Sequence, residues 1–134
     1  ERRPLSIAIG ALDRIKQIND TLGHATGDLV LQDGAKRLQM VLRSYGAVGR
    51  LGGEEFPMLL PGCDQAVALE IAARARLAGG NEPITTPSGP ISTSMSLGVA
   101  CRKPSDTTEA VSLVEAADLA LYRAKAGGRN RVSL

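Results

Sequence analysis

Apolar positions along this chain follow two rhythms, one near-continuous and one recurring every three to four residues. Residues 5–10 are almost uninterruptedly apolar, which predicts a buried strand. A polar segment then opens at Asp13, runs through residues 14–19 and closes at Gly23, so a short helix with Asp13 as its cap is expected. Asp28 opens a longer helix in which Leu31, Ala35, Leu38 and Leu42 recur at i, i+4, i+7 and i+11 on one face. Gly34 inside that helix costs about 1 kcal/mol relative to alanine. Two apolar runs, 47–51 and 56–60, flank a glycine pair and predict a hairpin, with Pro57 removing one ladder donor and forcing a bulge or an unpaired side.

Beyond the hairpin, Asp64 is placed to cap an alanine-rich helix that stops at Gly79-Gly80. Residues 81–90, rich in Pro, Gly and Thr, read as a loop. From 91 to 99 the alternation is clean, with Ile91, Thr93, Met95, Leu97 and Val99 on one face and Ser92, Ser94, Ser96 and Gly98 on the other, which predicts a strand. Asp106 and Glu109 resemble a capping box for a helix burying Leu113, Val114, Ala117, Leu121 and Ala124. Gly127-Gly128 ends it, and residues 130–134 make a last short strand. The order β-α-α-β-β-α-β-α-β predicts one α/β (α+β) domain with a mixed central sheet of about five strands flanked by helices.

Composition narrows the chemistry. The chain has 134 residues, enough for one domain with a real core. Sixteen Lys and Arg against fourteen Asp and Glu leave a net charge of +2, too little to suggest DNA or RNA binding by charge alone. Cys63 and Cys101 have no metal-ligand spacing and read as packed free thiols of a cytoplasmic protein. No apolar run approaches the roughly 18 residues of a membrane span, and no signal peptide is seen at Glu1.

The most informative segment is the hairpin tip, Gly52-Gly53-Glu54-Glu55-Phe56. Two glycines let a ligand approach the backbone, and two carboxylates suit a hard divalent cation against a phosphate chain. A solvated turn has the same composition.

Three further motifs surround that tip in a recognisable order. They are Asp13-x-x-Lys16-x-Ile18-Asn19-Asp20-x-x-Gly23-His24-x-x-Gly27-Asp28, then Ser96-Leu97-Gly98-Val99-Ala100, then Ala117-Asp118-x-Ala120-Leu121-Tyr122-x-Ala124-Lys125-x-x-Gly128-Arg129-Asn130. With the tip they closely resemble the GGDEF family over nearly the whole chain. That resemblance implies a nucleotidyl-cyclase palm-like fold and a diguanylate cyclase that condenses two GTP to cyclic di-GMP with Mg²⁺ or Mn²⁺. It also implies a homodimer, because each domain holds one GTP, and an attached sensor or dimerisation module. The family's usual first helix is absent before Glu1, so a trimmed domain of a larger signalling protein is expected.

By the same resemblance, Asn19 and Asp28 read the guanine edge. Arg14, Ile15, Lys16, Lys125 and Arg129 bind the phosphates, and Gly52 and Gly53 belong to the substrate site. Glu54 and the Leu12 backbone carbonyl hold the metal, Glu54 helps deprotonate the attacking hydroxyl, and Glu55 supports it. Two departures are visible. Where relatives carry an Asp as a metal ligand, this chain has Ala11, and Asp13 offers a substitute only by swinging toward the cation, with helix capping favoured as its role. Where relatives carry Arg-x-x-Asp in a product-inhibition site, this chain has Arg43-Ser44-Tyr45-Gly46, leaving Arg43 and, on the third helix, Arg74. The expectation is therefore a cyclase with a weakened metal centre. The alternative is a catalytically inactive domain that binds GTP or cyclic di-GMP.

Overall fold

The computed structural model describes residues 3–49 and 54–134. Its elements in chain order are β1 (Leu5–Leu12), α1 (Ile15–Leu22), α2 (His24–Leu42), β2 (Ala47–Val48), β3 (Glu55–Pro61), α3 (Gln65–Gly80), β4 (Ile84–Thr86), β5 (Gly89–Ile91), β6 (Met95–Arg102), α4 (Ala110–Ala126) and β7 (Val132–Ser133). Five strands form the main sheet in the order β2-β3-β1-β6-β7, as the mixed α/β reading expected. β1 lies at its centre, antiparallel to both β3 and β6, and the parallel pairing is β6 with β7.

Helices cover both faces, which explains why β1 and β6 are almost wholly apolar. One core holds Leu12, Leu38, Phe56, Ile71 and Met95 under α1, α2 and α3. The other gathers Ile7, Ile9, Ala11, Leu113, Ala117 and Leu121 under α4. The alternation expected for 91–99 therefore does not separate core from solvent, because Met95 to Ala100 are buried on both sides. Ile91 belongs instead to β5.

Several boundaries differ from expectation for identifiable reasons. α2 starts at His24, not at Asp28, because Gly23 at φ 92° ends α1 and lets the chain re-enter a helix at once. Gly34 is compensated by fit, since a Cβ there would press against the Leu12 side chain at 2.8 Å. Residues 81–90 are not a plain loop but largely a β4–β5 hairpin, in which the Thr86 hydroxyl donates to the Gly89 carbonyl at 2.8 Å. α4 starts at Ala110 without a side-chain cap, because the Asp106 carboxylate accepts from the Thr108 backbone and hydroxyl in a local turn.

Other local expectations match. Asp64 caps α3 by accepting from the Val67 amide at 3.0 Å. Pro57 sits in unbroken register opposite Ile9, so there is no bulge. Its carbonyl accepts from the Gly49 amide, which turns its missing N–H toward the edge strand. Both cysteines are free thiols, and burial, then Asp64, push the Cys63 thiol up. Among the described residues, no helix is long and apolar enough to cross a membrane.

Candidate active site

At the end of β1, the turn into α1 meets the tip of β3 and the end of α4. Leu12, Asp13, Arg14, Ile15, Lys16, Gln17, Glu54, Lys125 and Arg129 line one cleft there, with a volume of about 140 Å³. Residues far apart in sequence thus line one cleft. Gln17 was not anticipated, although it adjoins Lys16 on the same exposed helix end. Gly52 and Gly53 lie outside the described residues. A larger concavity of about 410 Å³ lies at the opposite end of the sheet, around Pro4, Asp64, Cys101 and Pro104, and contains none of these groups.

Backbone strain concentrates at this cleft. Arg14, Arg129 and Asn130 have φ of 66°, 63° and 48°, the left-handed region that costs a residue with a Cβ roughly 1–2 kcal/mol. Arg14 begins α1 in that conformation, so Asp13 is not the helix cap. The strand has ended at Leu12, and the buried Asp13 carboxylate is taken by protein donors. Its Oδ1 accepts from Ser96 Oγ at 2.7 Å, and its Oδ2 accepts from Ser94 Oγ at 2.5 Å and from the Asn130 amide at 3.1 Å.

The carboxylates beside this network are fewer than in a full metal site. Ala11 is 2% exposed, packs into the apolar cluster under α4, and stands opposite Glu55 in the β1–β3 register. Among the described residues, no group of three or more His, Cys, Asp or Glu is arranged to hold a metal. Mg²⁺ nevertheless often takes only one or two carboxylates, with substrate phosphates and water supplying the rest. Glu54 and the Leu12 carbonyl suit that sparse pattern. Burial raises the Glu55 carboxyl above its ordinary range, Asp118 and Glu54 push the same way, and Lys125 opposes them. Asp118, on the exposed side of α4, was not foreseen as part of this environment.

Two other groups of expected residues lie outside the cleft lining. Asn19 packs against Gly27, where a Cβ would collide with Asn19 Oδ1, and Asp28 follows on the exposed side of α2. Gly27 therefore explains how α1 and α2 approach closely enough to bring Asn19 beside the turn that carries Asp28. On another face, the Arg74 guanidinium lies 5.6 Å from the centroid of the Tyr45 ring and 3.7 Å from Glu70. That contact sets Arg74 near the segment that begins at Arg43.

Comparison with known proteins agrees with the fold. The family model described as diguanylate cyclase, GGDEF domain, matches residues 1–131. The chain belongs to the GGDEF family. This GGDEF domain is 39% identical to diguanylate cyclase A of Treponema denticola over its full length and spans 36% of that relative, so it corresponds to about a third of the longer protein. It superposes with TM-score 0.89 on the GGDEF domain of DgcB from Caulobacter crescentus, solved in complex with c-di-GMP, at 34% identity and covering 97% of this chain and 77% of that one. The active GGEEF domain of a diguanylate cyclase from Vibrio cholerae superposes with TM-score 0.87 at 33% identity, covering 98% of this chain and 82% of that one. Glu54-Glu55 thus gives this domain the same tip lettering as a domain described as active.

Proposed function

We propose that this GGDEF domain is a diguanylate cyclase that condenses two GTP to cyclic di-GMP through a reduced metal centre. The observation that carries the reading is the single cleft in which Glu54 meets Lys16, Lys125 and Arg129 beside the end of β1. Four cations, Arg14 being the fourth, beside the Glu54 and Asp13 carboxylates suit a polyphosphate chain accompanied by a divalent ion. Asn19 and Asp28 present an amide and a carboxylate, complementary to the donors and acceptor along the guanine edge.

In this reading Arg14, Ile15 and Lys16, with Lys125 and Arg129, orient the triphosphate, and Gly52 and Gly53 allow its close approach. Glu54 and the Leu12 carbonyl would hold Mg²⁺ or Mn²⁺, which when bound neutralises charge building on the α-phosphoryl group. The 3′-hydroxyl of one GTP attacks the α-phosphorus of the other and pyrophosphate leaves. Glu54 would take the hydroxyl proton, and Glu55 supports it from the next position. Each domain binds one GTP, so two copies face each other. The homodimer, an attached sensor or dimerisation module and a cytoplasmic location all follow from this reading.

A second reading is favoured by Ala11, namely a domain that binds GTP or cyclic di-GMP without turnover. Arg43 and Arg74 then offer a product site, one guanidinium already lying over an aromatic ring. The deciding experiment measures GTP turnover with Mg²⁺ and Mn²⁺, using the chain alone and fused to a dimerising coiled coil. Cyclic di-GMP from the fused wild type, lost in Glu54→Ala, supports the cyclase. Nucleotide binding without product in either form sinks it in favour of the binder.

A further inference from the structure

Among the described residues, the buried polar side chains are Ser6, Asp13, Thr26, Thr86 and Ser96, and Asp13 is the ionisable one. Its carboxylate joins three separate segments. The Ser94 and Ser96 hydroxyls reach it from the start of β6, and the Asn130 amide reaches it from the turn between α4 and β7. The same Asn130 amide also donates to Ser96 Oγ at 3.1 Å, and the Asp13 amide donates to the Ser94 carbonyl at 2.8 Å. Asn130 Oδ1 in turn accepts from Arg76 of α3 at 3.0 Å.

The residues covalently next to this junction are cationic and line the cleft. Arg14 follows Asp13, and Arg129 precedes Asn130. Both adopt left-handed backbone conformations that side-chain-bearing residues avoid, so something must hold them there. A buried carboxylate accepting from both sides is suited to do so, since charge-assisted hydrogen bonds in a dry site are short and directional.

We infer that Asp13 is a positioning residue, whose buried carboxylate locks the β1–α1 and α4–β7 turns together so that Arg14 and Arg129 present a fixed pair of cations to a triphosphate. The triphosphate as ligand rests on the proposed function, whereas the locking of the two turns does not. In this inference Asp13 acts through the backbone of its neighbours.

Asp13→Asn keeps the shape but turns an amide donor toward donors that need an acceptor. Ser94→Ala with Ser96→Ala removes two of the bonds and leaves the carboxylate, providing a milder pair should Asp13→Asn fail to fold. Amide hydrogen exchange is expected to quicken at least tenfold at Arg14, Arg129 and Asn130 in these variants, with α3 near Asp64 unchanged. Affinity for GTP and for inorganic triphosphate is expected to fall about tenfold, whereas guanosine perturbs the Asn19 and Asp28 amides as in the wild type. Unchanged exchange at the two turns in a folded variant overturns the locking. Equal losses for guanosine and GTP overturn the positioning role and make Asp13 a general stability element. Expected exchange behaviour in a wild type that binds neither GTP nor triphosphate overturns the ligand and the proposed function together, while the locking stands.

Discussion

Positions 11 and 13 lie two residues apart at the end of one strand, and their fates are opposite. Ala11 packs among apolar side chains under α4, at the position where the family resemblance leads one to expect a metal-binding carboxylate. Asp13 is also buried, yet it keeps its carboxylate and fills it with hydroxyl and amide donors. A carboxylate whose partner is a bound ion can be replaced by a methyl group without disturbing the fold. One whose partners are the protein's own donors cannot, because its loss leaves those donors unpaired. Chemistry and architecture are thus separable at this cleft.

The largest effect that bears on this contrast is expected on the chemical side. Glu54→Ala should lower GTP turnover about 100-fold or more, the upper end of what losing a partner of a metal costs, measured as cyclic di-GMP formed by the dimerised domain. Ala11→Asp should raise turnover by about 10- to 100-fold. The same change places a second carboxylate opposite Glu55 in an apolar setting, so without a divalent ion it should destabilise the fold by roughly 1 to 3 kcal/mol. Mn²⁺ with GTP should narrow that gap in thermal melts. A gain in turnover with no stability loss would break the contrast drawn here.

On the architectural side, Asp13→Ala should cost roughly 3 kcal/mol in urea unfolding, because a charged acceptor of several hydrogen bonds is lost. A loss below about 1 kcal/mol would put Asp13 in the same class as Ala11. Smaller still is Asp64→Ala at the opposite end of the sheet, expected to cost about 1 kcal/mol through the α3 cap and to leave GTP affinity unchanged. In the same region, Cys63 is buried with its thiol pushed up, whereas Cys101 is partly exposed. Alkylation at pH 8 should therefore modify Cys101 first, as mass spectrometry would show.

Legibility in the sequence follows the range of the interaction. Leu31, Leu38 and Leu42 announce α2 because their spacing is set by the helix itself. Asp64 and Gly79-Gly80 mark α3 by contacts within a turn or two. The α2 start was misplaced because Asp28 was read as opening the helix, and the value of Gly27 inside it appears only when Asn19 is packed against it. Ser94 and Ser96 looked like the solvent face of a half-buried strand. Ser96, set between Met95 and Leu97 in an otherwise apolar stretch, was the available signal that something polar lay beneath.

Sequence alone therefore determined the family and the sheet with its covering helices, since motifs and periodicities are local in the chain. Tertiary structure decided what Asp13 does. Its partners Ser94 and Asn130 stand 81 and 117 residues away, and no spacing rule reaches that far. Only the meeting of β1, β6 and the α4–β7 turn in one place turns an apparent helix cap into the buried acceptor that joins them.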